Sequence, residues 1–312
     1  MGTRIVTPVT LATDDADGIC VSQTAPAAGT LPIGGALSTG ASANNVCTSQ
    51  SVGSATTLSL NGSTVTNGVA YLFGKAVQII SAADDSDITF TVAGIGPDGV
   101  SSQVEVVTGA DTSRVATAAL FHSITSITTS GATSGNVTVG TNGTATIASD
   151  GAARQVLITS GGDDTGVTFT ITGTGADGFP LTEDVTGANG TATSTSYFQS
   201  VTQVAVSGAT ASTVTVGTNT VGATRWVSLS THMTPANTDA SIVVSGTVNY
   251  TVQYTYDDLQ SVSTVWDDSE LTSETANGET TWSFPITGVR CKVNSGTGTA
   301  TMTTIQAGIA GN

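Results

Sequence analysis

The hexapeptide VTVGTN occurs twice, at Val137–Asn142 and at Val214–Asn219, and it marks the end of a much longer internal duplication. Upstream of the two hexapeptides, the segment Asp84–Val100 aligns with Asp163–Phe179 at a distance of 79 residues. The distance falls to 77 at the hexapeptides, as expected when loops vary in length between fixed strands. Two copies therefore cover roughly 76–145 and 154–222, and the chain is built of related modules.

A second, shorter repeat precedes the first copy. Ile19–Gly35 aligns with Val46–Gly62 at a constant distance of 27 residues, which places Cys20 and Cys47 at equivalent positions. Free cysteine behaves as a small apolar residue, so we expect these two thiols and Cys291 to be reduced and buried. A Cys20–Cys47 disulfide is the alternative, and it is disfavoured because equivalent positions of neighbouring repeats rarely lie within disulfide reach.

The residue pattern inside the copies is that of β-strands. In Ile88–Val92 and Val167–Ile171, apolar residues alternate with threonine, which puts one side of each strand in a core. An Asp-Gly pair follows each of these strands and predicts a tight hairpin turn. No stretch combines apolar residues at helical spacing with good helix-forming residues. The sequence therefore predicts an all-β protein.

The last part of the chain departs from the repeat. It contains all three tryptophans and the alternating strand Val248–Tyr256, so we expect a distinct C-terminal β-domain with an aromatic core. The predicted units are an N-terminal arm at 1–17, a short tandem β-repeat with a 27-residue period at 18–75, β-modules at 76–149 and 150–224, and a C-terminal β-sandwich at 225–312.

The charge of the chain disfavours two classes of partner. Lys and Arg total 7 against 23 Asp and Glu, which gives a net charge of −16. Such a chain repels phosphate backbones and anionic lipid surfaces, so we expect neither nucleic-acid nor membrane binding. The amino-terminal stretch has no apolar core of the signal-peptide type, and we expect a protein that is made in the cytoplasm and not processed.

Residues that could support chemistry are sparse. The two histidines, His122 and His232, belong to no catalytic motif, and the second copy has a glutamine where the first has His122. We therefore predict no enzymatic activity and no cofactor. Asp84, Asp85 and Asp87 are candidate calcium ligands, because calcium prefers several oxygen ligands. The competing interpretation is that these aspartates stabilise a turn through hydrogen bonds to the backbone.

Two parts of the chain resemble modules of a known class of protein. One is the second copy, DDTGVTFTITGTGADGFPLTEDVTGANGTATSTSYFQSVTQVAVSGATASTVTVGTN, and the other comprises the C-terminal runs TVNYTVQYTYDD and TANGETTWSFPITGVRCKVNSGTGTATMTTIQAG. Both resemble β-modules in structural proteins of tailed-bacteriophage virions. The resemblance implies tandem Ig-like β-sandwich modules, attached to the capsid or the tail as a homo-oligomer, with no catalytic residues.

The resemblance favours a capsid decoration (cement or head-fibre) protein that docks on the major capsid protein, assembled into the virion in the host cytoplasm. We expect a trimer, with residues 1–17 extending as an arm onto a neighbour. The alternative is a tail component, such as a fibre, tail-tube or adaptor subunit. A second alternative is a carbohydrate-binding module, in which aromatic side chains stack on sugars; the candidate residues are Trp266, Trp282, Tyr250, Tyr254 and Tyr256.

Overall fold

The fold is a series of antiparallel β-sheets. The computed structural model describes residues 3–10, 14–147 and 152–310, and within these ranges every regular element is a strand. Helices are absent from the described residues, and the paired strands run antiparallel. Valine and threonine supply much of this structure, because their branched side chains fit a pleated surface. The prediction of an all-β protein is confirmed.

The strands before and within the first copy are short to medium in length. The N-terminal segment contains β1 (Thr3–Thr10), β2 (Asp15–Gln23), β3 (Gly29–Leu31), β4 (Ser38–Thr39) and β5 (Ser42–Gln50). It is followed by β6 (Val65–Thr66), β7 (Val69–Lys75), β8 (Val77–Ser81), β9 (Thr89–Ile95), β10 (Ser102–Thr108), β11 (Arg114–Ala116), β12 (Phe121–Thr129) and β13 (Val137–Thr141).

The second copy and the C-terminal domain supply the remaining strands. Strand β14 (Thr144–Thr146) follows the first hexapeptide and pairs with a strand of the second copy. The second copy contains β15 (Ala153–Asp163), β16 (Thr168–Gly175), β17 (Pro180–Thr186), β18 (Asn189–Thr193), β19 (Phe198–Val206) and β20 (Val214–Ala223). The C-terminal domain contains β21 (Val227–Ser228), β22 (Met233–Ser245), β23 (Val248–Thr255), β24 (Trp266–Asp267), β25 (Gly278–Trp282), β26 (Gly288–Gly296) and β27 (Thr299–Ala310).

The first copy forms a sandwich of two sheets, and it does so with strands from outside the copy. One sheet has five strands in the order β10-β9-β12-β7-β6. The facing sheet contains β11, β8 and β13, and β13 pairs on its other side with β5. Phe90, Ile124 and Ile127 from one sheet and Cys47 and Ile79 from the other belong to one buried core. We call this unit the first sandwich.

The second copy repeats this architecture and uses the other N-terminal repeat unit. Strands β17, β16, β19 and β14 form one sheet, and β18, β15, β20 and β2 form the other; we call this unit the second sandwich. Cys20 on β2 lies opposite Val216, just as Cys47 on β5 lies opposite Val139. The earlier N-terminal unit thus completes the later copy, and the segment 18–75 divides its strands between two sandwiches.

This pairing explains why the hexapeptide is repeated. Its valines are buried in both copies, and its glycine, Gly140 or Gly217, lies directly against the N-terminal strand. A β-carbon at Gly140 would collide with the carbonyl oxygen of Ser42, and one at Gly217 would collide with that of Asp15. Glycine is required at both positions because another backbone approaches closely.

The C-terminal domain is a third sandwich. One sheet has the order β1-β27-β22-β25, and it packs on β23 and β26, which also pair with β24 and β21. Tyr250, Trp282 and Met302 belong to the core between the sheets. In the segment expected to form an arm, β1 pairs with β27 of its own chain, from Thr3 opposite Gln306 onwards.

Hydrogen-bonded strands cross the junctions between the three sandwiches. Thr30 on β3 lies opposite Ala205 of the second sandwich and opposite Ala116 of the first. At its far end, β20 pairs with β26, where Gly222 lies opposite Val293. Backbone ladders therefore connect the second sandwich to both of its neighbours.

Candidate functional site

The two histidines lie in different parts of the molecule. His122 lies on β12 of the first sandwich, where its ring contacts Tyr71 and Phe73 edge-on at centroid distances of 6.5 and 5.4 Å. His232 is exposed in the turn before β22, and its backbone N–H donates to the Ser230 hydroxyl. The structure therefore does not bring the two rings into one site, and the surroundings of His122 are aromatic.

The aspartates predicted as calcium ligands have separate roles. Asp85 is buried, and its Oδ1 accepts a hydrogen bond from the Ser134 N–H at 2.7 Å. Asp84 is exposed, and its Oδ1 accepts from the N–H and the hydroxyl of Ser86, whose hydroxyl most strongly lowers the pKa of Asp84. Among the described residues, no group of three or more His, Cys, Asp or Glu side chains is arranged to hold a metal ion. Asp84 and Asp85 thus use their Oδ1 atoms for separate hydrogen bonds, to Ser86 and to Ser134, and do not form one ligand set.

The buried aspartate is repeated in the second copy, which shows what it does. Asp164 is buried at the position equivalent to Asp85, and its Oδ1 accepts from the Ala211 N–H at 2.6 Å. In both copies the carboxylate ties the loop at the start of one hairpin to the loop before the hexapeptide strand. Because the carboxylate accepts a hydrogen bond from the equivalent backbone N–H in both sandwiches, we infer that it stabilises the fold.

The three cysteines are free thiols in separate places. Cys20 belongs to the core of the second sandwich, Cys47 to that of the first, and Cys291 to the C-terminal core. Burial raises the pKa of Cys47 and of Cys291 to about 12, and it raises that of Cys20 further. The structure therefore contains reduced, buried thiols and no Cys20–Cys47 disulfide.

The aromatic residues of the C-terminal domain divide into core and surface. Tyr250 and Trp282 are buried, so these two candidates for sugar stacking are core residues. The Tyr250 hydroxyl donates to the Ala276 carbonyl oxygen at 2.9 Å. Tyr256 and Trp266 are each 50% exposed, and Tyr254 is half-buried beneath Tyr256. The predicted tyrosine stripe is broken because β23 ends at Thr255, so Tyr256 lies beyond the strand.

A compact aromatic patch remains on the surface of this domain. It consists of Tyr254, Tyr256 and Phe284; the two tyrosine rings meet edge-on at 5.8 Å, and Phe284 stacks on Tyr256 at 6.2 Å. Trp282 supports the patch from below, with its ring 5.9 Å from that of Tyr254. Offset and edge-on pairs at these distances are favourable beyond simple burial. The patch is therefore an ordered apolar surface.

The C-terminal domain is anchored on the second sandwich by a half-buried arginine. The Arg290 guanidinium lies 4.4 Å from the Trp226 ring centroid and 5.4 Å from that of Tyr197, which belongs to the second sandwich. Its Nε donates to Gln253 Oε1 at 2.9 Å. Burial lowers the pKa of Arg290 to about 10, and the group stays charged at neutral pH. Partly desolvated cation–π contacts of this kind hold the two units together.

A shallow acidic groove lies elsewhere on the C-terminal domain. It encloses about 700 Å³ and is lined by carboxylates and threonines, among them Asp239, Glu270, Glu279 and Thr281. Asp239 Oδ1 accepts a hydrogen bond from the Thr281 hydroxyl at 2.8 Å. The groove offers acceptor oxygens and hydroxyls but no histidine or cysteine.

The described residues also include no helix that could cross a bilayer.

Comparison with protein-family models, with curated proteins and with solved structures gave no match. The candidate surface is therefore defined by its own residues alone. Of the patch, the sequence pattern indicated Tyr254 and Tyr256 and missed Phe284. Phe284 lies two residues after Trp282, so the alternating pattern puts both rings on the same face of a strand. The pattern alone therefore does not show that one ring is buried and the other exposed. The signal that separates them is the end of β25 at Trp282.

Proposed function

We propose that this chain is a structural protein of a tailed-bacteriophage virion, namely a capsid decoration (cement or head-fibre) protein that docks on the major capsid protein. In this proposal the three sandwiches are Ig-like modules, and the aromatic patch of Tyr254, Tyr256 and Phe284 contacts the capsid. The observation that carries the proposal is this patch. It is apolar, ordered by its own ring contacts, and located on a terminal sandwich of a chain that is rich in threonine and serine.

Such a surface suits lasting contact with another protein. Aromatic residues contribute most to binding when they fill a pocket of the partner. The patch residues are already held by their neighbours, so docking fixes few additional rotamers and loses little entropy. The Arg290 junction connects the patch firmly to the second sandwich. The remaining modules would then project from the particle surface.

The proposal includes a role for residues 1–17 as an arm. Strand β1 forms the edge of its sheet, and edge strands can exchange a partner in their own chain for one in a neighbour. We propose that neighbouring subunits on the lattice contact each other through this edge. A trimer centred on a three-fold position of the capsid is the expected arrangement.

The test is a capsid-binding assay. Purified chain is mixed with empty capsids that lack it, and the bound copies are counted after sedimentation. Binding should saturate at a number that follows the capsomer count. The double variant Tyr256→Ser, Phe284→Ser should weaken binding at least about 30-fold, as expected for loss of anchor residues. The control is Phe179→Ser, because Phe179 is a similarly exposed phenylalanine on the second sandwich.

Electron microscopy of labelled chain on whole virions separates this proposal from a tail component. Label distributed over the head supports decoration. Label confined to the tail rejects decoration and identifies a fibre, tail-tube or adaptor subunit.

Carbohydrate binding is the second candidate, because Trp266 is half-exposed on the strand that pairs with Tyr254. Aromatic side chains on one face of a strand pair can stack on a sugar ring. Binding to a glycan array that is abolished by Trp266→Ala in a folded protein would establish this function. A folded chain without a glycan signal would reject it.

A further inference from the structure

The two copies differ systematically on one outer face. In the first sandwich, the outward residues of the five-stranded sheet include Tyr71, Phe73, Ile95, Val104, Val106 and His122, which we call the apolar face. The positions equivalent to Tyr71, Ile95 and Val104 in the second sandwich are all threonine. The second copy has Asp184 at the position of Val106 and Gln199 at that of His122.

The apolar residues of this face are not required by the fold. Val104 and Val106 are 60% and 59% exposed, and the second sandwich forms the same pairing with Thr182 and Asp184 at these positions. A residue that one copy replaces by a polar one without changing the strand register does not stabilise the sandwich itself. Exposed apolar residues in a contiguous group mark interaction sites on soluble proteins.

Phe73 gives an independent indication of function. It is 75% exposed, and its φ of 54° lies in the left-handed region that bulky side chains rarely adopt. Gly74 follows with a φ of 88°, and the pairing of β7 with β12 shifts register at this point. The irregularity turns the ring outward against His122. Strained backbone of this kind persists where a function requires the side chain.

The charge distribution identifies the occupant of the face. The chain carries a net charge of −16, so two copies repel each other over most of their surface. The apolar face contributes no such repulsion, because none of the outward residues on β7, β9, β10 and β12 is Asp or Glu. Glu105 lies on β10 but turns its carboxylate to the N–H groups of Ala118 and Ala119, at 2.8 and 2.7 Å. A basic partner would prefer the acidic surfaces, whereas a second copy approaches most favourably at a surface without carboxylates.

The size of the face sets the expected strength of the contact. Four strands of about seven residues span roughly 19 by 24 Å, or about 450 Å² in projection. Two such faces bury about 900 Å², which is below the roughly 1,200–2,000 Å² of stable specific interfaces and in the range of weak, transient ones. Association in the micromolar range is therefore expected for free chains.

We propose that the apolar face of the first sandwich is covered in solution by a second copy of this chain. This inference is independent of the virion proposal, since it concerns the purified protein alone. The apolar faces of two chains pack together, with Phe73 and Val104 among the buried residues. The second sandwich carries the polar version of the same face and stays in solvent.

The test replaces first-copy residues by their second-copy counterparts. The triple variant Tyr71→Thr, Val104→Thr, His122→Gln and the wild type are compared by sedimentation equilibrium up to about 100 µM. The wild type should sediment as an oligomer, and the variant should have a dissociation constant raised at least 100-fold, equivalent to about 2.7 kcal/mol. The control Val243→Thr alters a valine that is 57% exposed on the C-terminal domain, and it should change nothing.

A second variant separates association from folding. Asparagine tolerates the left-handed region better than phenylalanine, so Phe73→Asn should keep or raise the unfolding temperature of the monomer. It should nevertheless weaken association at least about 30-fold. Hydroxyl-radical footprinting of the wild type adds a readout without any mutation. Oxidation of Tyr71 and Phe73 should fall as the protein concentration rises, while that of Phe179 stays constant.

Three results would overturn the inference. One is a wild-type chain that remains monomeric at about 100 µM, which would leave the face for an unrelated protein. Another is an oligomer that neither variant dissociates, which would place the interface elsewhere. The third is footprinting in which Tyr71 and Phe73 stay reactive in the oligomer.

Discussion

At Gly217 the backbone of β20 passes so close to Asp15 that a β-carbon would collide with the carbonyl oxygen of Asp15. We expect Gly217→Ala to lower the free energy of unfolding by about 2–3 kcal/mol, because β2 has to move away from the sheet. Gly208→Ala is the matched control, since a β-carbon at this position would have no atom within 4 Å and its φ is ordinary. It should change stability by less than about 0.5 kcal/mol. Urea unfolding of both variants measures the difference, and equal effects would contradict the close approach.

Asp98 provides a pH-dependent test at the same scale. Its carboxylate accepts hydrogen bonds from the Ser101 hydroxyl and from the N–H groups of Val100 and Ser101, and these lower the pKa of Asp98 to about 2. The ordinary pKa of an aspartate is about 3.9. The hydrogen-bonded carboxylate therefore stabilises the turn above about pH 4, and this contribution is lost as the pH falls through about 2.

We expect the NMR titration of the Asp98 carboxyl carbon in the folded protein to have its midpoint near 2. The variant Ser101→Ala should move this midpoint upward, because the hydroxyl is the largest cause of the shift. A wild-type midpoint close to the ordinary aspartate value would show that the turn is not closed by these hydrogen bonds.

At the scale of elements, the two N-terminal repeat units complete the sandwiches in crossed order: the earlier unit completes the second sandwich, and the later unit completes the first. Chain order alone would assign each unit to the other sandwich and would therefore predict the opposite effects of mutation. Ile19 and Val46 are buried at equivalent positions, but Ile19 belongs to the core of the second sandwich and Val46 to that of the first. Ile19→Ala should cost about 2–5 kcal/mol and should increase amide exchange in residues 153–223. Val46→Ala should loosen residues 69–141 instead.

Hydrogen exchange with mass spectrometry reads both variants in the full chain, and each serves as the control for the other. If Ile19→Ala loosened the first sandwich and left the second protected, the pairing of β2 with β20 would be wrong. A uniform increase over all three sandwiches would instead mean that they unfold as one cooperative unit.

The repeats made the strands and their copies readable from the sequence, but they did not show which strands pair. Alternation in Ile88–Val92 shows that one side is buried and says nothing about the neighbouring strand. The 27-residue repeat could complete either copy, and only the three-dimensional path assigns Cys20 to the second sandwich. In the same way, alternation along the sequence placed Tyr250 and Tyr256 on one face of a strand. Because β23 ends at Thr255, Tyr250 lies in the core and Tyr256 is half-exposed to solvent.

The apolar face was present in the sequence as a difference between aligned positions. The alignment places a glutamine opposite His122, and that difference alone argues only against catalysis. The same comparison at Tyr71 and Val104 required the strand register. Strand β7 lies outside the repeat that the sequence shows. It is equivalent to β14 because β7 pairs with β12 in the first sandwich, as β14 pairs with β19 in the second. Phe73 could not be found by pattern at all, since its exposure depends on a local register shift.

For the whole molecule, the net charge of −16 and an uncharged contact face lead to a prediction about salt. The Debye length is about 30 Å at 0.01 M salt and about 8 Å at 0.15 M, so repulsion between two chains is strong at low salt and largely screened near physiological salt. Self-association through the apolar face should therefore tighten as sodium chloride rises from about 0.01 to about 0.15 M. Sedimentation equilibrium over this range measures the change.

Variants of the apolar face make the salt experiment specific. The control Val243→Thr should follow the wild type, because its charge and its apolar face are unchanged. The triple variant Tyr71→Thr, Val104→Thr, His122→Gln should remain dissociated even when repulsion is screened, because screening removes an obstacle and supplies no contact. Association that weakens with added salt would mean that opposite charges hold the copies together, and the uncharged face would then not be their interface.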